Sequence, residues 1–288
     1  MNVRLWGTRG SLATPGDLTS RYGGDTSCVE ICDPSSGAVV VLDAGTGIRA
    51  LGQALAGDLR RIDILLTHLH MDHIQGLAFF SPLFNPEIET HIWGPRSTTL
   101  TLRERITRYV SPPLFPVHLR EVAPDLQIHE IPRREFDLGA FHVCSELICH
   151  PNPTVGYRIE QDGAAVTYMP DHEPALGLQH GYVSGDWTSG HRLARQADLL
   201  IHDAQYSRQE YEVHVGWGHS AIDHAFDFAE LADVARLVPF HHDPSHTDVD
   251  LDRLIAATID EHCPSFAVTP GVAGAIIQIG NGSREQDG

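Results

Sequence analysis

A single mixed α/β domain is what this 288-residue sequence predicts. Three observations predict it. Short runs rich in β-branched residues alternate with amphipathic helical patterns from one end of the chain to the other. Both kinds of element occur in each half. No Gly/Ser-rich or charged linker divides the chain, and no short repeat points to a solenoid. With 42% hydrophobic residues there is enough apolar side chain to bury a sizeable core.

Taken in order, strands are expected at residues 3–6, 27–32, 38–43, 62–67, 90–93, 141–148, 154–160, 165–169, 199–202, 237–240, 266–269 and 275–279, where Val, Ile, Leu and aromatic residues gather between turn formers. Asp162-Gly163 lies between two of them. Both residues tolerate positive φ, so this is a hairpin signal and part of the sheet must be antiparallel. Helices are expected at 48–55, 97–109, 220–235 and 248–262. In the third, Ile222, Ala225, Phe226, Ala229 and Ala232 form the apolar stripe and Ser220 offers an N-cap. Two segments read as functional loops: Ser111-Pro-Pro-Leu-Phe-Pro-Val117, which its prolines should keep extended, and residues 177–190, filled by glycine, serine and Trp187. Either could line a pocket or form the contact of a homodimer. The domain is expected to span 1–280, leaving 281–288 as a polar, disordered tail.

Composition removes several function classes. No run approaches the ~18 apolar residues of a membrane helix, and the N-terminus lacks the apolar core of a signal peptide, so a cytoplasmic protein without membrane association is expected. Five cysteines (Cys28, Cys32, Cys144, Cys149, Cys263) are odd in number and contain no C-x-x-C pair. They support neither a disulfide framework nor a cysteine zinc site, and are expected to be buried free thiols. All twenty basic residues are arginine. The absence of lysine excludes a P-loop lysine, a Schiff-base lysine and the lysine-dependent β-lactamase mechanism. A net charge of −18 repels nucleic-acid backbones, which disfavours a long polyanionic substrate. Nineteen histidines point instead to metal chemistry, imidazole being the commonest protein metal ligand.

The segment Leu65-Leu66-Thr67-His68-Leu69-His70-Met71-Asp72-His73 carries that reading furthest. An apolar strand delivers the chain to a loop in which His68 and His70, two apart, can project to one side. Asp72 and His73 follow a tight turn and face a second centre. A buried strand ordinarily ends in turn formers, not in three imidazoles and a carboxylate, so two metals are implied.

This H-x-H-x-D-H pattern after an apolar strand resembles the signature of the metallo-β-lactamase superfamily of dinuclear hydrolases. The resemblance implies an αββα sandwich, two mixed sheets with helices on the outer faces. It also implies three further ligands, each after a strand, and the chain offers His150 in Ile148-Cys149-His150-Pro151, Asp171 in Tyr168-Met169-Pro170-Asp171 and His241 in Pro239-Phe240-His241-His242. Carried over, His68, His70 and His150 bind one metal, Asp72, His73 and His241 the other, and Asp171 bridges them. His242 is the alternative to His241, which is preferred because Pro244 follows it by three positions, as in related phosphodiesterases. The implied cofactors are two divalent ions, zinc foremost, with manganese or iron also accepted by such donors. Asp43, in Leu42-Asp43-Ala44-Gly45, resembles the superfamily's supporting aspartate.

Further motifs narrow the branch. Asp171 stands where zinc β-lactamases with this signature place a cysteine, so a lactamase is not expected. Gly218-His219-Ser220, Gly156-Tyr157-Arg158 after His150, and His202-Asp203-Ala204 resemble elements of the ribonuclease Z and cyclic-phosphodiesterase branch. They mark His219 as catalytic and put His202 and Asp203 behind the ligands or against substrate. Trp6-Gly7-Thr8-Arg9-Gly10-Ser11 and Tyr22-Gly23-Gly24-Asp25-Thr26-Ser27-Cys28 are similar to phosphoribosyl 1,2-cyclic phosphodiesterase-like proteins. No long Gly/Pro-rich arm is evident, so tRNA is not expected as a partner. Two divalent ions set against Asp72, Asp171 and a bridging hydroxide leave about +1, which a phosphodiester monoanion neutralises. The expected activity is hydrolysis of a small, cyclic nucleotide or ribosyl phosphodiester by that metal-bridging hydroxide. Asp72 positions it and accepts its proton, and His219 protonates the leaving oxygen. A thioesterase or lactonase using the same site is the alternative.

Overall fold

The computed structural model describes residues 1–55, 59–122, 126–132, 134–174, 176 and 185–280. The chain builds β1 (Asn2–Gly7), β2 (Cys28–Cys32), β3 (Val39–Leu42), β4 (Arg61–Leu65), β5 (Glu89–Gly94) and β6 (Gln127–Glu130) into one sheet. A second sheet holds β7 (Glu135–Leu138), β8 (Phe141–Leu147), β9 (Val155–Gln161), β10 (Ala164–Met169), β11 (Leu199–Asp203), β12 (Arg236–Phe240) and β13 (Ala267–Val268). The last strand, β14 (Ile276–Gln278), returns to pair antiparallel with β1.

The inner faces of the two sheets meet. Val3, Leu5, Val29, Ile31 and Leu42 of the first pack against Val143, Ile159, Val166, Ile201 and Phe240 of the second. The outer face of the first sheet is covered by the helices Ile48–Ala54 and Leu102–Tyr109, that of the second by Ile222–Leu231 and Asp248–His262. Where both faces of a sheet are buried, as at β10 and β11, the strands read as continuous apolar runs, whereas β1 and β8 alternate. This is the four-layer αββα arrangement expected.

Asp162 and Gly163 adopt φ of 51° and 83°, as a two-residue hairpin turn needs, and β9 and β10 pair antiparallel across them. The expected strands all form, with their ends shifted by a few residues. Two further strands, β6 and β7, escape sequence reading because each is four residues long and polar, as edge strands often are. The helix expected from 97 begins at Leu102, where Thr101 and Glu104 form a capping box. Ser220 does not cap the following helix: Ala221 occupies that position without a side-chain bond, and the Ser220 hydroxyl donates instead to the His172 carbonyl. The proline-rich 111–117 segment turns, with Phe115 N donating to Ser111 O, and does not stay extended. The cysteines are unpaired, but only Cys28 is buried and Cys263 is exposed. Residues 177–184 and the tail 281–288 lie outside the described residues. Among the described residues no helix is long and apolar enough to cross a membrane.

Topology brings the chemistry together. Strands β3 and β4 run parallel, as do β10, β11 and β12. Their C-terminal ends therefore open on one edge of the sandwich. At that edge lie Asp43, the 68–73 loop, Asp171, Asp203 and His241, joined by His150 from the loop after β8.

Candidate metal centre

Asp43 organises the loop after β4. Its backbone is left-handed (φ 59°), which turns its buried carboxylate under the loop. There it accepts from Thr67 N at 2.8 Å, Thr67 Oγ1 at 2.9 Å and His73 Nδ1 at 2.7 Å. Two buried tyrosines brace the same loop from the facing sheet: Tyr168 OH donates to Asp43 at 3.0 Å and Tyr157 OH to Leu66 O at 2.6 Å. His70 then precedes the one-turn helix Met71–Ile74, which carries Asp72 and His73 inward.

Two four-residue groups of donors result, each with its ligand atoms within 4.8 Å of one another: His68, His70, His150 and Asp171, and Asp72, His73, Asp171 and His241. Asp171 belongs to both. A third, smaller group, Asp203, His219 and His241, meets the second at His241. Several ring nitrogens on the outer side are committed as donors, which fixes the tautomer. His73 Nδ1–H goes to Asp43, His150 Nδ1–H to Gly218 O at 2.8 Å, and His241 Nδ1–H to Gln205 Oε1 at 2.9 Å. Each Nε2 then faces inward. Inside, His73 Nε2 and His241 Nε2 stand 3.3 Å apart, and His68 Nε2 is buried without a hydrogen-bond partner. Asp171 Oδ1 lies 2.9 Å from His73 Nε2 and 3.3 Å from His241 Nε2, yet is likewise buried without a hydrogen bond of acceptable geometry. Converging acceptors with nothing between them are what a cation pair would satisfy.

Electrostatics agree. Burial depresses the His68, His70 and His150 rings below the ordinary histidine value, so they are neutral and able to coordinate. Burial alone would raise the Asp171 carboxyl, but the surrounding His241, His73 and His68 rings hold it well below the usual carboxylate range. Asp72 is likewise held low against its burial by His73 and His241. The His73 ring, opposed by burial, is lifted well above its ordinary value by Asp171, Asp72 and Asp43. The pocket is built around positive charge.

His241, not its neighbour, enters the cluster. It sits in a left-handed conformation (φ 61°), and an added Cβ at Gly10 would lie 2.3 Å from its Nδ1, so only glycine permits that approach. His242 points away, its ring edge-on to Tyr22 and hydrogen-bonded to Gly271 O at 2.9 Å. His219 stacks on His241 at 4.9 Å and lies edge-on to His150 at 5.2 Å, over both donor groups. Its Nδ1 donates to Asp203 Oδ2 at 2.8 Å. Asp203 also accepts from the backbone of His172, Gln205 and Ser220, so it cannot turn away. Burial works against a charged His219 ring, but Asp203 prevails and lifts it to about 9. His202 contacts none of the donors: its ring bonds to His172 Nδ1 and to Asp203 O, and burial lowers it to about 4. It is a buried support one step further out.

Sequence reading missed Ser11, whose N–H donates to Asp72 Oδ2 at 2.8 Å, as well as Gln205, Tyr168 and Glu173. Ser11 closes a motif quoted for resemblance and Gln205 directly follows another, which was the available signal. Nothing in the sequence around Tyr168 shows that it reaches across the sandwich. Asp43→Asn is expected to weaken metal binding about 10–100-fold, because an amide tolerates the left-handed backbone but cannot accept all of these donors. A metal-competition titration checks this, and unchanged affinity would confine Asp43 to shaping the loop.

An αββα sandwich with a carboxylate shared by two imidazole groups at the strand ends defines a metal-dependent hydrolase. Residues 39–242 match the model of the β-lactamase superfamily domain, and the chain belongs to the metallo-β-lactamase superfamily; the relatives it resembles include ribonuclease Z proteins. Ribonuclease Z of Thermoplasma acidophilum is 26% identical, covering 87% of this chain and 89% of the relative. That of Thermococcus onnurineus is 25% identical, covering 71% and 76%. Among solved structures, the short form of human tRNase Z superposes with a TM-score of 0.66 at 22% identity, over 97% of this chain and all of that one. A diphosphatase of the PhnP family gives 0.67 at 17% identity, over 96% and 97%.

These relatives overturn one expectation. The exclusion of tRNA, argued from the net charge and the missing arm, does not stand beside ribonuclease Z relatives spanning most of the chain. Net charge sums the whole surface, whereas a phosphate meets only the local field, and that field would be dominated by divalent ions.

Proposed function

We propose that this metal-dependent phosphodiester hydrolase acts on a small nucleotide or ribosyl phosphodiester, a cyclic one in the first instance. The His219–Asp203 pair, lying over the shared Asp171, carries this reading: it holds a proton donor where a phosphate ester's alkoxide leaves, which the thiolate leaving a thioester does not need. His68, His70 and His150 would hold one ion, Asp72, His73 and His241 the other, with Asp171 between them. Zinc suits these donors first, and manganese or iron also. Bound there, the ions supply Lewis acidity toward a phosphoryl oxygen and acidify a water toward neutral pH.

The chain's own residues do the rest. Asp72, kept anionic and held by Ser11 N, accepts a hydrogen bond from the attacking water and so orients it. His219 keeps Nδ1 on Asp203, which leaves Nε2 as the nitrogen that can give a proton to the departing oxygen. Transfer by a placed acid of this kind contributes ~10²–10⁴ in rate.

A second reading, hydrolysis within an RNA chain, is favoured by the ribonuclease Z relatives. A panel of nucleoside 2′,3′-cyclic phosphate, bis-aryl phosphate, precursor tRNA, thioester and lactone tested on metal-loaded protein separates them. Fastest turnover of the cyclic phosphate is expected. Fastest turnover of precursor tRNA would establish the RNA reading, and thioester or lactone turnover exceeding every diester would overturn both.

A further inference from the structure

The loop that carries His219 displays an exposed indole on an unusually fixed backbone. Glu173, fully buried, accepts from Gly216 N at 2.8 Å, Gly218 N at 2.7 Å and Tyr211 OH at 2.8 Å. Gly218 has φ 93°, and a Cβ there would meet His150 Nδ1 at 2.3 Å. Its carbonyl accepts from that same nitrogen. The backbone on both sides of Trp217 is thereby pinned against the metal centre.

Trp217 itself is 62% exposed. It meets His214 edge-on at 4.8 Å; His214 stacks on Tyr206 at 4.6 Å, and Tyr206 is edge-on to His219 at 6.0 Å. A column of three rings thus stands beside His219 with the indole at its open end. The neighbours on this loop, Val213 and Val215, are also exposed and apolar. Such a surface suits a flat apolar group rather than the charged phosphate. An indole left in water gains by covering, and one already held in place loses little freedom when a ring settles on it.

We propose that Trp217 is the stacking platform for the nucleobase of the substrate, setting a preference for base-bearing diesters. The proposal rests on the phosphodiesterase reading above for the identity of the ligand. The phosphate would sit at Asp171 and His219 while the base lies on the indole, braced from behind by His214. Stacking is tolerant of base identity, because every base offers a π-face. The platform should select nucleotides over base-free sugar phosphates, with little choice among the bases.

Two measurements on metal-loaded protein test it. The first is the ratio of kcat/KM for a nucleoside 2′,3′-cyclic phosphate to that for a base-free ribose cyclic phosphate. Trp217→Ala should reduce this ratio about tenfold or more, mostly through KM, with Trp217→Phe restoring much of it. The second needs no turnover: adenosine 5′-monophosphate should quench tryptophan emission, and Trp217→Phe should remove most of the quenching. An unchanged ratio, or quenching that survives in Trp217→Phe or never appears in the parent protein, overturns the platform. Quenching that depends on Trp217 in a protein that hydrolyses no diester would retain the platform and reject the phosphodiesterase reading.

Discussion

Asp171→Ala is expected to strip the protein of both metal ions and to abolish hydrolysis with them. Asp171 is the one residue common to the two donor groups, and its carboxylate approaches rings from each: His73 and His241 through Oδ1, His68 and His150 through Oδ2. Without it the site keeps a cluster of buried imidazoles and loses the anion that offsets a pair of dications. His68→Ala should act on one side only, leaving about one ion per chain, because the His73 and His241 group stays whole. Elemental analysis of purified protein checks both, with about two ions expected in the parent. A parent that is fully active with one ion or none would sink the dinuclear assignment. Circular dichroism must accompany the measurement, since Asp171 is fully buried and misfolding would also lose metal.

His219→Ala should keep the metals and the fold yet lose ~10²-fold or more in turnover of diesters with poor leaving groups. His219 lies outside both four-residue donor groups and shares only the third with Asp203 and His241, where its Nδ1 is already taken up by Asp203, so metal content should hold. Its ring is fixed over them by Asp203 and by stacking on His241, which is a proton donor's position. An activated aryl ester leaves without needing a proton, so its loss should be much smaller. Asp203→Asn should reproduce the same bias, because the carboxylate is what keeps His219 charged. Equal losses on both kinds of ester would assign His219 to phosphoryl binding. No loss on either would leave it a packing residue and remove the main support for the phosphodiesterase reading.

Much of this site is legible in the chain because it is local. His68, His70, Asp72 and His73 fall within six residues, and their spacing alone places them at the end of an apolar strand. His150, Asp171 and His241 each follow a run of β-branched or aromatic residues, but so does Asp203, and it is the resemblance to the superfamily that picks out these three. The layers are legible for the same reason: period and apolar content mark the long strands and helices, and what escapes is short, the polar edge strands β6 and β7 and one-turn helices such as Leu119–Val122 and His191–Ala194. The hairpin at Asp162-Gly163 is written in two residues.

What the sequence determined by itself, then, is the set of elements, the presence of a metal-type donor set and the exclusion of lysine chemistry. Only the tertiary structure decided between His241 and His242. The two are adjacent, and a left-handed backbone at His241 with a glycine against its ring turns one inward and the other toward Tyr22. Only the tertiary structure showed that Tyr168 reaches Asp43 across the sandwich, that Glu173 pins the loop bearing Trp217, and that Ser220 anchors a carbonyl where a cap was expected. The reason is physical. Hydrophobic periodicity is a property of neighbours in sequence, whereas these are hydrogen bonds and approaches between residues tens of positions apart, fixed only when two sheets have closed on one another.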